Sequence, residues 1–287
     1  MTTKNYLSIY AKSFNWSGFF LPKKVYSKCS KLYDFCRTLD NIADQDKDLE
    51  IKKKELKKFK INFEEKNQED TVIKNMWDLM EEFNISQIIV NDLFDGVESD
   101  LKKEVRIRTE KELLVYCYRV AGTVGLMMAK IFNVKKKESL IRAVDLGIAM
   151  QLTNIARDVV EDEKKNRIYL FSYTKDTLIN IKKTIYEAET FYDSSFSAIK
   201  DIPLRCRFSI IVARRVYRQI GKKIFDLKDI ETYRKAGKIY VSNFGKVIQT
   251  FFSLIDFITL FFIGTKKNKQ EFHYNLINED ISLNERF

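Results

Sequence analysis

Two segments carry acidic residues at helical spacing with an arginine inside each: residues 33–44, YDFCRTLDNIAD, and residues 151–162, QLTNIARDVVED. A helix turns by roughly 100° per residue, so Tyr33, Arg37, Asp40 and Asp44 fall within a band of about 60°, and Gln151, Asn154, Asp158 and Asp162 within about 80°. Each helix thus presents one polar stripe of oxygen ligands. Carboxylate and carboxamide oxygens suit hard Mg²⁺, which keeps several waters and bridges to phosphates. Arg37 and Arg157 offer forks for phosphate oxygens. Two such helices facing each other make a cage for divalent metal and diphosphate. A lone pair of aspartates four apart is ordinarily a solvated face. Here Asp40 follows Tyr33, Phe35, Cys36 and Leu39, and Asp158 follows an apolar stretch over 143–155, surroundings in which carboxylates need a partner or a metal. Spacing alone leaves both readings open.

Other chemistries are excluded or disfavoured. The single histidine, His273, lies near the C-terminus, which rules out a histidine-rich zinc site and argues against a Ser-His-Asp triad. Any metal chemistry has to use oxygen ligands. Cys29, Cys36, Cys117 and Cys206 form no CxxC pair, and Cys29 and Cys36 are about 10 Å apart along one helix, too far for a disulfide. Reduced thiols in the cytoplasm are the expectation, and the polar residues 1–10 have no signal-peptide core. The net charge of +11 comes from dispersed residues without a nucleic-acid motif, so no nucleic-acid partner is expected. A positive field instead suits anionic diphosphates and an anionic membrane surface. Gly122-Thr-Val-Gly125 lacks the spacing of a dinucleotide fingerprint.

The elements that must position these residues are helices. The 287 residues contain two prolines, Pro22 and Pro203, and nine glycines, and apolar residues recur at helical spacing from Lys31 to about Leu260. No alternating strand series or internal repeat is present. The expected fold is all-α: a single helical bundle around a central apolar cavity, with the two acidic helices closing its mouth. Residues 1–263 form the expected domain, followed by a polar, loosely attached tail over 264–287. Residues 47–70, rich in Lys and Glu, read as a solvated helix and loop. Ala121, Gly122 and Gly125 permit a kink or a close approach, serving either a ligand or tight helix packing. Residues 247–263 are apolar but barely long enough to span a bilayer and include Gln249 and Asp256, so they read as a last core helix or a peripheral helix with a Phe-rich side on lipid.

The wording of several segments goes further. The segments YDFCRTLDNIAD and QLTNIARDVVEDEKKNRIYL resemble the two signature motifs of the squalene/phytoene synthase family. Residues 116–132 (YCYRVAGTVGLMMAKIF), 144–158 (VDLGIAMQLTNIARD) and 202–224 (IPLRCRFSIIVARRVYRQIGKKI) resemble its bacterial phytoene synthase branch in particular, and KSFNWSGFFLP over 12–22 is similar to the family's Ser-Phe start. The resemblance covers about residues 5 to 250, in order. It implies an isoprenoid-synthase fold in which Asp40, Asp44, Asp158 and Asp162 hold Mg²⁺ (Mn²⁺ as an alternative) with help from Asn154 and, nearby, Gln151. Arg37, Arg157 and Arg167 would contact phosphate oxygens. Tyr33, Tyr116 and Tyr169 would line the reaction centre, where ring faces can meet cations. Ser13, Phe14, Val120, Ala121 and Gly125 would shape the substrate site. Glu161 sits at the edge of its stripe and ranks lower. One departure is Asn41 after Asp40, where many relatives carry adjacent acids. The implied reaction joins two geranylgeranyl diphosphates head to head, through prephytoene diphosphate, to phytoene without NADPH, the first committed step towards carotenoids. A phytoene desaturase would take the product, and a membrane face would receive it. The same residues also fit condensation of two farnesyl diphosphates to squalene, dehydrosqualene or hydroxysqualene, and an inactive member serving as an assembly subunit is the non-enzymatic alternative.

Overall fold

The computed structural model describes residues 12–263 and 271–287, with side chains over 15–263 and 273–287. The helices in chain order are α1 (Lys12–Gly18), α2 (Lys23–Asp44), α3 (Leu49–Glu64), α4 (Thr71–Phe83), α5 (Gln87–Ser99), α6 (Glu110–Cys117), α7 (Thr123–Ile131), α8 (Lys137–Lys164), α9 (Thr177–Phe196), α10 (Leu204–Phe225), α11 (Ile230–Ala236), α12 (Asn243–Thr259) and α13 (Glu271–Asn278). A π-helical turn, Tyr118–Gly122, joins α6 to α7. The protein is all-α, as expected from the periodicity. The two prolines explain the length of its helices: Pro22 and Pro203 stand at the N-caps of α2 and α10, where a missing N–H costs nothing. Elsewhere side chains cap the ends. Asp70 accepts from Val72 and Ile73 N–H, Asp176 from Ile179, and Ser242 from Gly245.

The strand-free expectation needs one small correction. β1 (Val105–Arg106) and β2 (Arg167–Ile168) form a parallel ladder with Val105 opposite Arg167. Two residues per strand carry no alternation that a sequence pattern could reveal. The ladder nevertheless matters, because it fixes the segment that carries Arg167.

Helix α8 runs through the middle of the bundle and packs against α7, α9, α10 and the π turn. Its Val144, Ile148, Ala149, Leu152 and Ala156 are wholly buried. A separate aromatic cluster, Phe35, Phe59, Phe63 and Phe94, ties α2 to α3 and α5. The contact of α8 with the π turn and α7 is unusually close. A Cβ on Gly147 would lie 2.2 Å from the Ala121 carbonyl oxygen, and one on Gly125 would lie 2.3 Å from that of Ala143. Tight helix packing therefore accounts for these glycines, and Gly125 lines the cavity as well.

The tail corrects a second expectation. Residues 271–287 are packed rather than loose: Ile277, Ile281 and Leu283 are buried, Lys111 on α6 pairs with Glu279 at 3.0 Å and Asp280 at 2.6 Å, and Arg286 pairs with Asp92 on α5. A few apolar residues in a polar stretch suffice to dock it. Among the described residues, one helical run, Glu110–Ile131, is long and apolar enough to cross a membrane, and most of it is buried within the protein. The apolar 247–263 stretch forms all but the first turn of the 17-residue α12 and its C-terminal turn.

Because the atom that Gly147 would strike is backbone on a packed element, relief requires helix displacement. Gly147→Ala is expected to destabilise the protein by about 1–3 kcal/mol, measured as a lowered urea midpoint at unchanged slope.

Candidate active site

A cavity of about 290 Å³ runs through the bundle, walled mainly by apolar side chains of α2, α7, α8, α10 and the π turn. Of the residues expected from sequence, Tyr33, Asp40, Val120, Ala121, Gly125, Gln151 and Asn154 line it. Asp162, Arg167 and Tyr169 line a smaller neighbouring cavity of about 80 Å³. The side chains of Ser13 and Phe14 lie outside the described residues.

The acidic groups and their counter-charges form one network. Arg167 donates from Nη1 to Asp44 Oδ1 at 2.6 Å and from Nη2 to the Ala43 carbonyl at 3.2 Å, so β2 is fastened to the end of α2. Lys165 adds a 3.5 Å pair to Asp44. On α8, Arg157 turns back onto its neighbour and grips both Asp158 oxygens, at 2.7 and 2.6 Å. Lys238 approaches Asp158 at 3.4 Å and Glu161 at 3.0 Å. Arg37 stands 3.9 Å from Asp40. Below this end of α8, the Tyr233 hydroxyl donates to the carbonyls of Ala156 and Arg157.

The titration of these acids follows from that distribution. Burial works against charge on Asp44, but the hydrogen bond and field of Arg167, aided by Lys165, outweigh it and hold the carboxyl below its usual range. Asp40 reaches solvent through the mouth yet is walled by protein; that desolvation, with Asp44 and Asp100 beside it, pushes it up to about 6 against the pull of Arg37 and Arg167. Desolvation and the adjacent Asp158 push Asp162 up to about 7. Asp44 is thus matched by arginine and lysine, while burial makes Asp40 and Asp162 costly to ionise, a cost that a further cation would relieve.

Asn154 gives an independent sign of the same kind. Its Nδ2 donates to Gln151 Oε1 at 3.2 Å, while its buried Oδ1, at the cavity wall, has no hydrogen-bond partner. A buried carbonyl oxygen without a donor is costly. Asn154, Asp158 and Asp162 share one stripe of α8, and Asp40 and Asp44 share one of α2. This all-oxygen donor set, with one orphaned oxygen and two carboxyls that burial makes costly to ionise, fits a divalent cation of the Mg²⁺ type. Among the described residues the acids do not form a ready-made cluster of three, and Arg157, Arg167 and Lys238 pair with two of them, Asp158 and Asp44.

Tyr116 and Tyr169 stack with ring centroids 4.7 Å apart at 16°. Both hydroxyls donate to one carboxylate, that of Asp100: Tyr169 at 2.7 Å and Tyr116 at 3.1 Å. Burial pushes Asp100 up to about 6 and raises both phenols well above their usual range. Asp100 was not among the residues expected from the sequence, since SDLKKE reads as a solvated turn. Nor was Lys238, one lysine among many. Tyr217 on α10 also lines the cavity; its place in the 202–224 segment was the only available hint. Glu161 is half exposed and engaged by Lys238, in keeping with its position at the stripe edge.

Residues 8–170 match the family described as squalene/phytoene synthase. The chain is 41% identical over 138 residues to the 15-cis-phytoene synthase of Enterobacter agglomerans, covering 42% of this chain and 47% of that protein. It is 39% identical over 150 residues to the phytoene synthase of Pseudescherichia vulneris, covering 46% and 48% respectively. The matched region spans about half the length of these curated relatives. A dehydrosqualene synthase solved in complex with a ligand superimposes with a TM-score of 0.71 at 27% identity, covering 88% of this chain and 94% of that one.

The raised Asp162 value has a consequence for stability. Its folded value of about 7 lies above its ordinary 3.8, so the folded state binds the extra proton, and stability from this group is present at low pH and lost as pH rises towards 7. Asp162→Asn is therefore expected to stabilise the metal-free protein by on the order of 1 kcal/mol near pH 8, after allowance for screening, with no gain below about pH 4. Urea melts at the two pH values measure it; an equal gain at both would contradict the assignment.

Proposed function

Because the chain belongs to the squalene/phytoene synthase family, we propose that it is a Mg²⁺-dependent prenyltransferase that condenses two geranylgeranyl diphosphates, through prephytoene diphosphate, to phytoene with release of diphosphate. The observation that carries this reading is an apolar cavity whose mouth holds Asp40 on one helix and the donor-less Asn154 oxygen on the facing one. Apolar tails have a place to lie, and anionic heads have a place to be held. The bacterial relatives bearing the name phytoene synthase favour the geranylgeranyl substrate over farnesyl diphosphate.

Asp40 and Asp44 on α2, with Asn154, Asp158 and Asp162 on α8, are the residues that would hold Mg²⁺ or Mn²⁺. When bound, the ion supplies Lewis-acid stabilisation of the departing diphosphate. Arg157 and Arg167 now pair with Asp158 and Asp44. Each pair can open without leaving a charge bare, the carboxylate turning to a cation and the guanidinium to phosphate oxygens, with Arg37 alongside. Departure of the first diphosphate with its C–O electron pair leaves an allylic cation. The double bond of the second substrate attacks it and a proton is lost, closing the cyclopropane of prephytoene diphosphate. Loss of the second diphosphate, rearrangement and loss of a further proton give phytoene, so no hydride donor such as NADPH is consumed. Apolar walls exclude the water that would quench each cation. The Tyr33 ring lines the same space, and Asp100 orients the Tyr116–Tyr169 stack, whose Tyr169 lines the smaller cavity.

The product is apolar, and α12 offers it a destination. Phe244, Phe251, Phe252, Ile255, Ile258 and Phe262 are exposed on this helix and its C-terminal turn, while Asp256, its only acid, is turned inward to Arg215 at 2.8 Å. The outward face is therefore free of carboxylate. Phe20 packs edge-on to Phe208 and, through it, reaches Phe257 and Phe261, while Gly18 and Leu21 line the cavity beneath. With a net charge of +11, an anionic bilayer is the partner of this face. The protein would act in the cytoplasm, where its free cysteines suit a reducing milieu, and hand its product to a desaturase.

Purified protein given Mg²⁺ and geranylgeranyl diphosphate without NADPH is expected to form phytoene; a product from farnesyl diphosphate alone would reassign the substrate. Asp44→Asn or Asp158→Asn should lower turnover by about 10²-fold or more while the fold survives, and near-normal turnover at limiting Mg²⁺ would refute the two-helix metal assignment. The double change Phe251→Asp and Ile255→Asp should abolish flotation with anionic liposomes at unchanged turnover in detergent. Retained flotation would exclude α12 as the contact face.

A further inference from the structure

The segment formed by α6 and the π turn has two opposed sides. Towards the cavity it presents Val120 and Ala121, and at the end of α6 Tyr116 stacks on Tyr169. Between them Tyr118 points the other way, wholly buried, and its hydroxyl donates to Asp92 Oδ2 at 2.8 Å. Asp92, buried on α5, is also held in a fork by the penultimate residue of the chain: Arg286 Nε lies 3.0 Å from Oδ2, and Nη2 lies 3.1 Å from Oδ1. Arg286 Nη1 donates to the Ser282 carbonyl at 3.0 Å, closing the terminal turn Leu283–Arg286 on itself. The remainder of the tail is anchored to the same segment through Lys111, which pairs with Glu279 and Asp280.

A π turn interrupts the regular helical ladder and persists where its surroundings hold it. Here α8 presses on Ala121 through Gly147, α5 presses on Arg119 and Val120 through Gly96, and the tail holds Tyr118 through Asp92. The first two supports are close packing. The third is an ion pair on a buried carboxylate, with Arg286 itself partly buried, and removing the arginine leaves that carboxylate's charge uncompensated.

We propose that the C-terminal segment is a positioning strap: Arg286, acting through Asp92 and Tyr118, holds the π turn in the register that sets the cavity wall at Val120 and Ala121, and thereby the length of prenyl chain the cavity accepts. The last clause rests on the prenyl-diphosphate reading; the strap itself does not. Arg286 bonds to Asp92, Ser282 and Glu285, none of which lines the cavity, so its effect passes through the side chains it orders.

The test uses the full chain with Arg286→Met, Arg286→Lys, and the double change Asp92→Asn with Arg286→Met, which leaves no buried charge unpaired. Amide exchange over residues 118–124 is read beside exchange over α2 as an internal control. Binding of non-hydrolysable thiolo analogues of farnesyl and geranylgeranyl diphosphate is read in parallel. In Arg286→Met, exchange over 118–124 should rise about tenfold with α2 unchanged. The ratio of the two affinities should shift at least about threefold, and Lys should restore part of both. Unchanged protection over 118–124 in a folded variant would overturn the strap. Faster exchange with an unchanged affinity ratio would overturn its role in chain-length selection. If Arg286→Met does not fold, the double variant carries the same two readouts. If the unaltered protein binds neither analogue, the prenyl reading and the selectivity claim fall together, while exchange still decides the strap.

Discussion

Like charges gathered at one mouth must be balanced before anything else in this protein can stand. Asp40, Asp44, Asp100, Asp158 and Asp162 converge where α2, β2 and the end of α8 meet, and Arg167 bears electrostatically on most of them. Its pair with Asp44 joins residues 123 positions apart in the chain. Without such counter-charges the carboxylates would repel one another or protonate. With them, the two acidic helices face each other across an apolar cavity. The two-residue parallel ladder of β1 and β2 holds Arg167 opposite Val105 at that point.

The same charge balance occupies two of the acids. Arg157 and Lys238 hold Asp158 while Arg167 and Lys165 hold Asp44. On the proposed reading, a site for both a cation and a diphosphate would gain from this arrangement, since the bases that neutralise the acids are also the groups that suit phosphate. The stress left on Asp40 and Asp162 and the bare Asn154 oxygen mark where the balance is incomplete. Stability and ligand readiness are in tension at those three residues, as is common at functional sites.

Behind the mouth, the geometry is set by close backbone approach. Gly125 and Gly147 let the π turn and α7 lie against α8 with carbonyl oxygens where side chains would otherwise be. This leaves space lined by Val120 and Ala121, with the π turn in close contact with α8 on one side and α5 on another. The exposed phenylalanines of α12 and of the α1–α2 junction cover the same end of the molecule as the cavity-lining Gly18 and Leu21.

What the sequence by itself determined was every property that depends on residue type and helical period. The all-α class and the polar stripes on α2 and α8 were legible because neighbours on a helix face are set by spacing, and the family was legible in the wording of the two motifs; that Tyr33 and Asp40 of one helix meet Gln151 and Asn154 of another on one cavity followed from the motifs' family resemblance, not from spacing. What only the tertiary structure decided were partners distant in the chain. Asp100 as the shared acceptor of Tyr116 and Tyr169, Lys238 beside Asp158, the two-residue ladder, and the docking of the polar tail through Arg286 and Asp92 leave no periodic trace. A lysine or an aspartate in a polar stretch looks the same whether it meets water or a buried counter-charge; only packing brings the partner, and with it the charge state, into place.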